Sequence, residues 1–120
     1  MYITRLKQNQ IFVFGSNLAG RHGKGAALQA RKFGAIYGQG IGRQGQAYAI
    51  PTKDYHLKTL PLHIIEQYII KFIEYTKQHP ELEFLLTPVG TGLAGYTINE
   101  LESILPKLPD NIIKLWKEVK

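Results

Sequence analysis

The chain has 120 residues, 44% of them hydrophobic and 20% charged, which is ordinary for one packed domain and excludes a disordered chain. It has no cysteine, which excludes disulfide scaffolds, zinc–thiolate sites and cysteine nucleophiles. No apolar run approaches the roughly 18 residues of a membrane helix and the start lacks the apolar stretch of a secretory signal, so the expectation is a cytoplasmic protein without a membrane partner.

In chain order, residues 2–6 (YITRL) read as an edge strand. Residues 11–14 (IFVF) form a continuous apolar run that reads as a buried strand of a parallel sheet. A glycine-bearing loop, 18–25, follows. Residues 26–33 (AALQARKF) are good helix formers stopped by Gly34. Residues 36–46 hold four glycines and no period, which predicts a loop. A short strand, 47–50 (AYAI), is expected to end at Pro51.

Residues 62–77 carry the clearest helical spacing: Leu62, Ile65, Ile69, Phe72, Ile73 and Thr76 recur at three and four, after Pro61. Residues 84–89 (FLLTPV) read as a third strand, weakened at its end by Pro88. After a second glycine loop, Thr97 and Glu100 have the spacing of a capping box, which opens a helix stopped near Pro106. Residues 112–116 (IIKLW) read as a last strand. Alternating strands and helices without a repeat or linker predict one α/β domain over residues 1–120.

Charge divides the chain. Residues 1–58 hold nine Lys and Arg against Asp54 alone, and residues 59–120 hold six Lys against eight acids, so the net +6 comes from the first half. Such a half attracts an anionic partner, either a phosphate compound or nucleic acid. His56, His63 and His79 have no ligand spacing, so no metal or other cofactor is expected.

Ligands of open α/β sheets bind beyond the carboxyl ends of the strands. Two glycine segments fall at such ends: residues 15–25 (GSNLAGRHGKG) and 90–96 (GTGLAGY). Each leads toward a helix, and glycine lets backbone approach a ligand closely. Together they could hold a diphosphate from both sides. A Walker loop is excluded because Gly25, not Ser or Thr, follows Gly23-Lys24. Residues 40–45 match G-x-G-x-x-G but enter a strand instead of opening a helix, so they are not a dinucleotide fingerprint.

The strand, Asn-bearing loop, glycine pair and helix of residues 11–34, the strand and loop of 85–95 (LLTPVGTGLAG) and the central strand of 46–54 (QAYAIPTKD) resemble a macrodomain. They are most similar to the small subclass that contains the terminal ADP-ribose protein glycohydrolase. The resemblance implies a three-layer α/β/α sandwich with a mixed, largely parallel sheet. It also implies ADP-ribose, free or carried by a macromolecule, as partner. By position it implies that Asn17 meets the distal ribose. Gly23 and Gly25, flanked by Arg21 and Lys24, meet the phosphates and ribose. Gly90, Thr91, Gly92, Leu93, Ala94 and Gly95 form the diphosphate loop, and Tyr96 lies beside the ligand. Gln10 falls near the adenine-reading acid. Lys53 falls near the subclass's nucleophilic lysine, with Asn17 and His22 as further catalytic candidates. Ala94 stands where that subclass has its loop acid, with Asp54 as a substitute, so binding is expected over hydrolysis. The rival expectation is a nucleic-acid-binding domain that uses the basic half and the 36–46 loop, with Tyr37 and Arg43 meeting bases and phosphates.

Overall fold

A computed structural model of the chain describes residues 3–116. Its element order is β1 (Gln10–Asn17), α1 (Gly25–Ala30) with a 3-10 turn (Arg31–Phe33), β2 (Gly42–Gln44), β3 (Ala47–Lys53), α2 (Leu62–Lys77), β4 (Glu83–Leu86), α3 (Ile98–Ile104) and β5 (Ile112–Lys114). The sheet order is β2-β3-β1-β4-β5, and β2 alone is antiparallel to its neighbour.

Two apolar faces make the three layers. On one, α2 and α3 cover Ile11, Val13, Ile50, Phe84 and Leu86; Ile65, Ile69 and Phe72 of α2 are buried against them. On the other, α1 brings Ala27 and Ala30 onto Phe12, Phe14, Ala47 and Ala49. Alternate residues of β1 thus serve opposite layers, so the IFVF run is apolar throughout: the strand is buried on both faces. The small alanines let the short α1 lie close to the sheet.

Several elements differ from the sequence expectation. Residues 42–44 are a strand and not a loop, because Gly42, Arg43 and Gln44 pair with Ala49, Tyr48 and Ala47. β3 runs through Pro51 to Lys53; Pro51 lies at a register shift opposite Ser16, where the ladder is interrupted and a missing N–H is tolerated. Ile3–Leu6 form no strand, and Ile3 and Leu6 instead pack on the α1-side core; Tyr2 lies outside the described residues. β4 and β5 are also shorter than expected. No helix among the described residues is long and apolar enough to cross a membrane.

Candidate functional site

β1, β3 and β4 run parallel, so their carboxyl ends share one edge of the sheet, and both glycine segments leave from it. The segments abut there: a Cβ added to Gly15 would lie 3.5 Å from the Gly90 nitrogen. Asn17 and Lys53 are the last registered pair of β1 and β3, and the Leu18 amide donates to the Lys53 carbonyl at 2.9 Å. Lys53 bridges to Thr59, whose hydroxyl donates to the Ala94 carbonyl at 2.8 Å. The first loop, the end of β3 and the second loop are therefore tied into one cluster.

The Asn17 side chain folds the first loop. Its Nδ2 donates to the Arg21 carbonyl at 3.0 Å and its Oδ1 accepts from the Arg21 amide at 2.9 Å. One N–H and one lone pair of that carboxamide remain uncommitted, although Asn17 is largely buried. The 36–40 turn is clamped beneath the loop: Ser16 donates to the Gly40 carbonyl, and the Gly38 amide donates to the Gly20 carbonyl at 2.8 Å. The approach is so close that a Cβ on Gly40 would lie 2.0 Å from the Asn17 carbonyl oxygen.

His22 belongs to this clamp and not to the open site. It is fully buried, packs edge-on against Phe14, and donates through Nε2 to the Gln39 carbonyl at 2.9 Å. Its place in the first loop makes it a catalytic candidate by sequence; burial instead makes it a tie between two loops, with Nδ1 unpartnered among the described residues.

What the two loops offer is backbone. In the second, the amides of Thr91, Gly95 and Tyr96 bond to carbonyls of Pro88, Gly92 and Gly90, which closes the turn. The amides of Gly92, Leu93 and Ala94 have no partner among the described residues, and neither do those of Gly23 and Lys24 in the first loop. Runs of unpaired N–H groups form anion-binding concavities. Gly23, Gly25, Gly92 and Gly95 all face open space. Helix ends add little here: α1 has six residues, and the cap amides of α3 are taken by Thr97 and Glu100.

Several expected residues are placed differently. Gln10 opens β1 at the amino end, roughly 23 Å along the strand from Asn17. Its amide donates to Glu83 at 2.7 Å and its carbonyl oxygen accepts from the Lys7 amide at 2.9 Å, so it does not join the site. Tyr96 lies beside Gly90, but its hydroxyl is committed to the Leu60 carbonyl at 2.6 Å. Asp54 accepts from the amides of His56 and Lys58, and the Lys58 contact above all holds its carboxyl below the usual range. It is a turn-former that stays ionised, a poor proton donor. Arg21, Lys24 and Leu93 are exposed around the site. No group of three metal-ligating side chains occurs among the described residues.

A cleft of about 870 Å³ adjoins the first loop. Phe12, Ala26, Leu28 and Pro88 give it apolar walls, and Gly25 and Thr87 stand toward the glycine segments. Gln29, Arg31 and Lys32 line it farther along α1. The sequence reading found only Gly25 of these, since Leu28, Arg31 and Lys32 look like an ordinary helix surface.

A solved structure, the macrodomain of Mycobacterium tuberculosis DarG, matches 82% of this chain and 79% of that one with a TM-score of 0.62. The fold is macrodomain-like. At 22% identity the likeness concerns architecture. No family model matches the sequence, and no curated protein matches it. Within the macrodomain-like frame, the two glycine loops, Asn17 and Lys53 occupy one edge of the sheet. Gln10, His22 and the Tyr96 hydroxyl are used by the fold.

Proposed function

We propose that this chain binds ADP-ribose, free or attached to a macromolecule. The diphosphate lies between the two glycine loops, the terminal ribose faces Asn17 and Lys53, and the base enters the cleft beside Ala26 and Pro88. The observation that carries this reading is the pair of unpartnered amide runs, at Gly23 and Lys24 and at Gly92, Leu93 and Ala94, on loops that abut. The ligand class follows from the resemblance of these loops to those of macrodomains, and the macrodomain-like fold agrees with it.

Binding is favoured over turnover. Attack by the Lys53 amine on the anomeric carbon needs a proton donor for the departing group. Ala94 supplies a methyl group at the loop position, and Asp54 is committed to its own turn. The nucleic-acid reading has less support, because its two contact residues are engaged on different sides of the sheet. Arg43 donates to the Tyr75 hydroxyl at 2.8 Å on the α2 side, whereas Tyr37 sits under Arg31, 5.9 Å from its guanidinium, on the α1 side.

Amide chemical shifts recorded during ADP-ribose titration test the site. Saturable shifts at Gly23, Lys24, Gly92 and Leu93 are expected. A folded protein whose loop amides do not move at millimolar ADP-ribose contradicts the proposal.

A further inference from the structure

The cleft beside the first glycine loop continues to the end of α1. Its far end is built by Gln29 of α1 and by Arg31 and Lys32 of the 3-10 turn that follows, with Arg31 about 9 Å along the chain axis from Gly25. The cleft, about 870 Å³, falls within the roughly 300–1,000 Å³ of small-ligand pockets and runs from Gly25 and Pro88 to Arg31 and Lys32. Arg31 and Lys32 have no carboxylate partner among the described residues. No acid precedes Asp54 in the sequence, so neither α1 nor the segments that flank it in the chain carries a carboxylate to neutralise them. Arg31 is instead held over the exposed Tyr37 ring.

We propose that Arg31 and Lys32 form a second anion subsite, which takes a phosphate carried on the adenosine end of the ligand. This rests on the ADP-ribose reading above and names the substrate class more narrowly: an ADP-ribose extended by a further phosphate beyond its base. The diphosphate and the extra phosphate then flank the apolar stretch formed by Phe12, Ala26, Leu28 and Pro88, with the two cations at the outer end and Gly25, which follows the unpartnered amides of Gly23 and Lys24, at the inner one. Two sources share this chemistry: a phosphate on the adenosine ribose itself, and the next unit of an ADP-ribose oligomer. Arg31 suits the role because its planar fork binds phosphate bidentately, while Lys32 contributes a point charge. Both residues also lie past the C-terminal end of α1, where cations favour the helix dipole. That effect predicts a change in stability and none in ligand choice.

The test is calorimetric titration of the full chain with three probes: ADP-ribose, ADP-ribose bearing a 2′-phosphate, and a short ADP-ribose oligomer. Each is titrated into the parent protein and into an Arg31→Gln/Lys32→Gln variant, with Lys32→Glu as a second variant and circular dichroism confirming the fold. ADP-ribose is expected to bind parent and double variant alike. At least one extended probe should bind the parent about tenfold tighter than ADP-ribose and lose that advantage in both variants. The probe that gains identifies the source. Equal binding of all three probes to the parent, or an advantage that survives both variants, overturns the subsite and leaves the ADP-ribose reading intact. Failure of every probe to bind overturns the ADP-ribose reading, and the subsite with it.

Discussion

Asn17 and Lys53 are paired across β1 and β3 one step beyond a register shift, so the loop asparagine and the strand-end lysine sit side by side at the sheet edge. The shift skips Thr52, whose hydroxyl donates to the Ser16 carbonyl at 3.2 Å across the same joint. In the proposed complex this lysine lies beside the terminal ribose, and the second loop offers it only Ala94.

Restoring a carboxylate should therefore matter. Ala94→Asp leaves the Ala94 carbonyl available to Thr59 and adds an acid to the loop that faces β3. ADP-ribosyl hydrolysis should rise by about a hundredfold over the parent. Lys53→Ala in the same background should abolish the gain. If Ala94→Asp alone changes nothing while ADP-ribose still binds, Lys53 is not placed as a nucleophile.

Two glycine substitutions should separate stability from binding. Gly40→Ala drives a methyl against the Asn17 carbonyl, with only 2.0 Å available, and should cost about 2 kcal/mol or more in chemical denaturation. Gly23→Ala meets nothing within 4 Å, so stability should stay within about 0.5 kcal/mol. Its methyl lies beside a free amide of the proposed phosphate site, however, and ADP-ribose affinity should fall several-fold.

Tyr48 gives a pH test of the packing. Burial, and next the neighbouring Tyr75 hydroxyl, push its phenol from 10.0 up to about 12. The folded state thus prefers the neutral phenol. Its contribution to stability is complete below pH 10, the unfolded value, and is lost as pH rises from there toward 12. Alkaline unfolding monitored by tyrosinate absorbance should begin above pH 10. Tyr48→Phe should weaken that alkaline dependence and leave the acid limb unchanged.

Much of this architecture is written locally. The period of Leu62–Lys77 gave the helix and its buried face because α2 packs a continuous stripe on the sheet. Thr97 and Glu100 form both bonds of the capping box, at 3.1 and 2.9 Å. β2 was not legible because Gly42–Gln44 has no strand pattern of its own and becomes one through pairing with β3. Of the candidate site, the positions of Asn17, Lys53 and both glycine segments were legible because they fall at or just beyond the carboxyl ends of strands. Gln10 was misplaced because distance along an eight-residue strand is invisible in motif spacing. Burial of His22 depends on Gln39 and the clamp around Gly40, which are 17 and 18 residues away. The cleft walls of Phe12, Leu28 and Pro88 converge only in three dimensions.

The capping box opens α3 directly after the second loop. Thr97→Ala should cost about 1 kcal/mol in thermal or chemical unfolding. ADP-ribose binding should weaken by less than the loss seen for Gly23→Ala, since the turn of 90–96 is closed by its own amides and by the Tyr96 hydroxyl. A larger effect on binding than on stability contradicts that division of labour.

The most direct measurement of the central claim is calorimetric titration of the folded chain with ADP-ribose, with ADP and AMP as controls. ADP-ribose should bind at least tenfold tighter than ADP, because the terminal ribose adds contacts at Asn17 and Lys53. An Asn17→Ala variant that stays folded should narrow that difference. Equal heats for ADP-ribose and ADP, or no heat from either, contradict the placement of an ADP-ribose between these two loops.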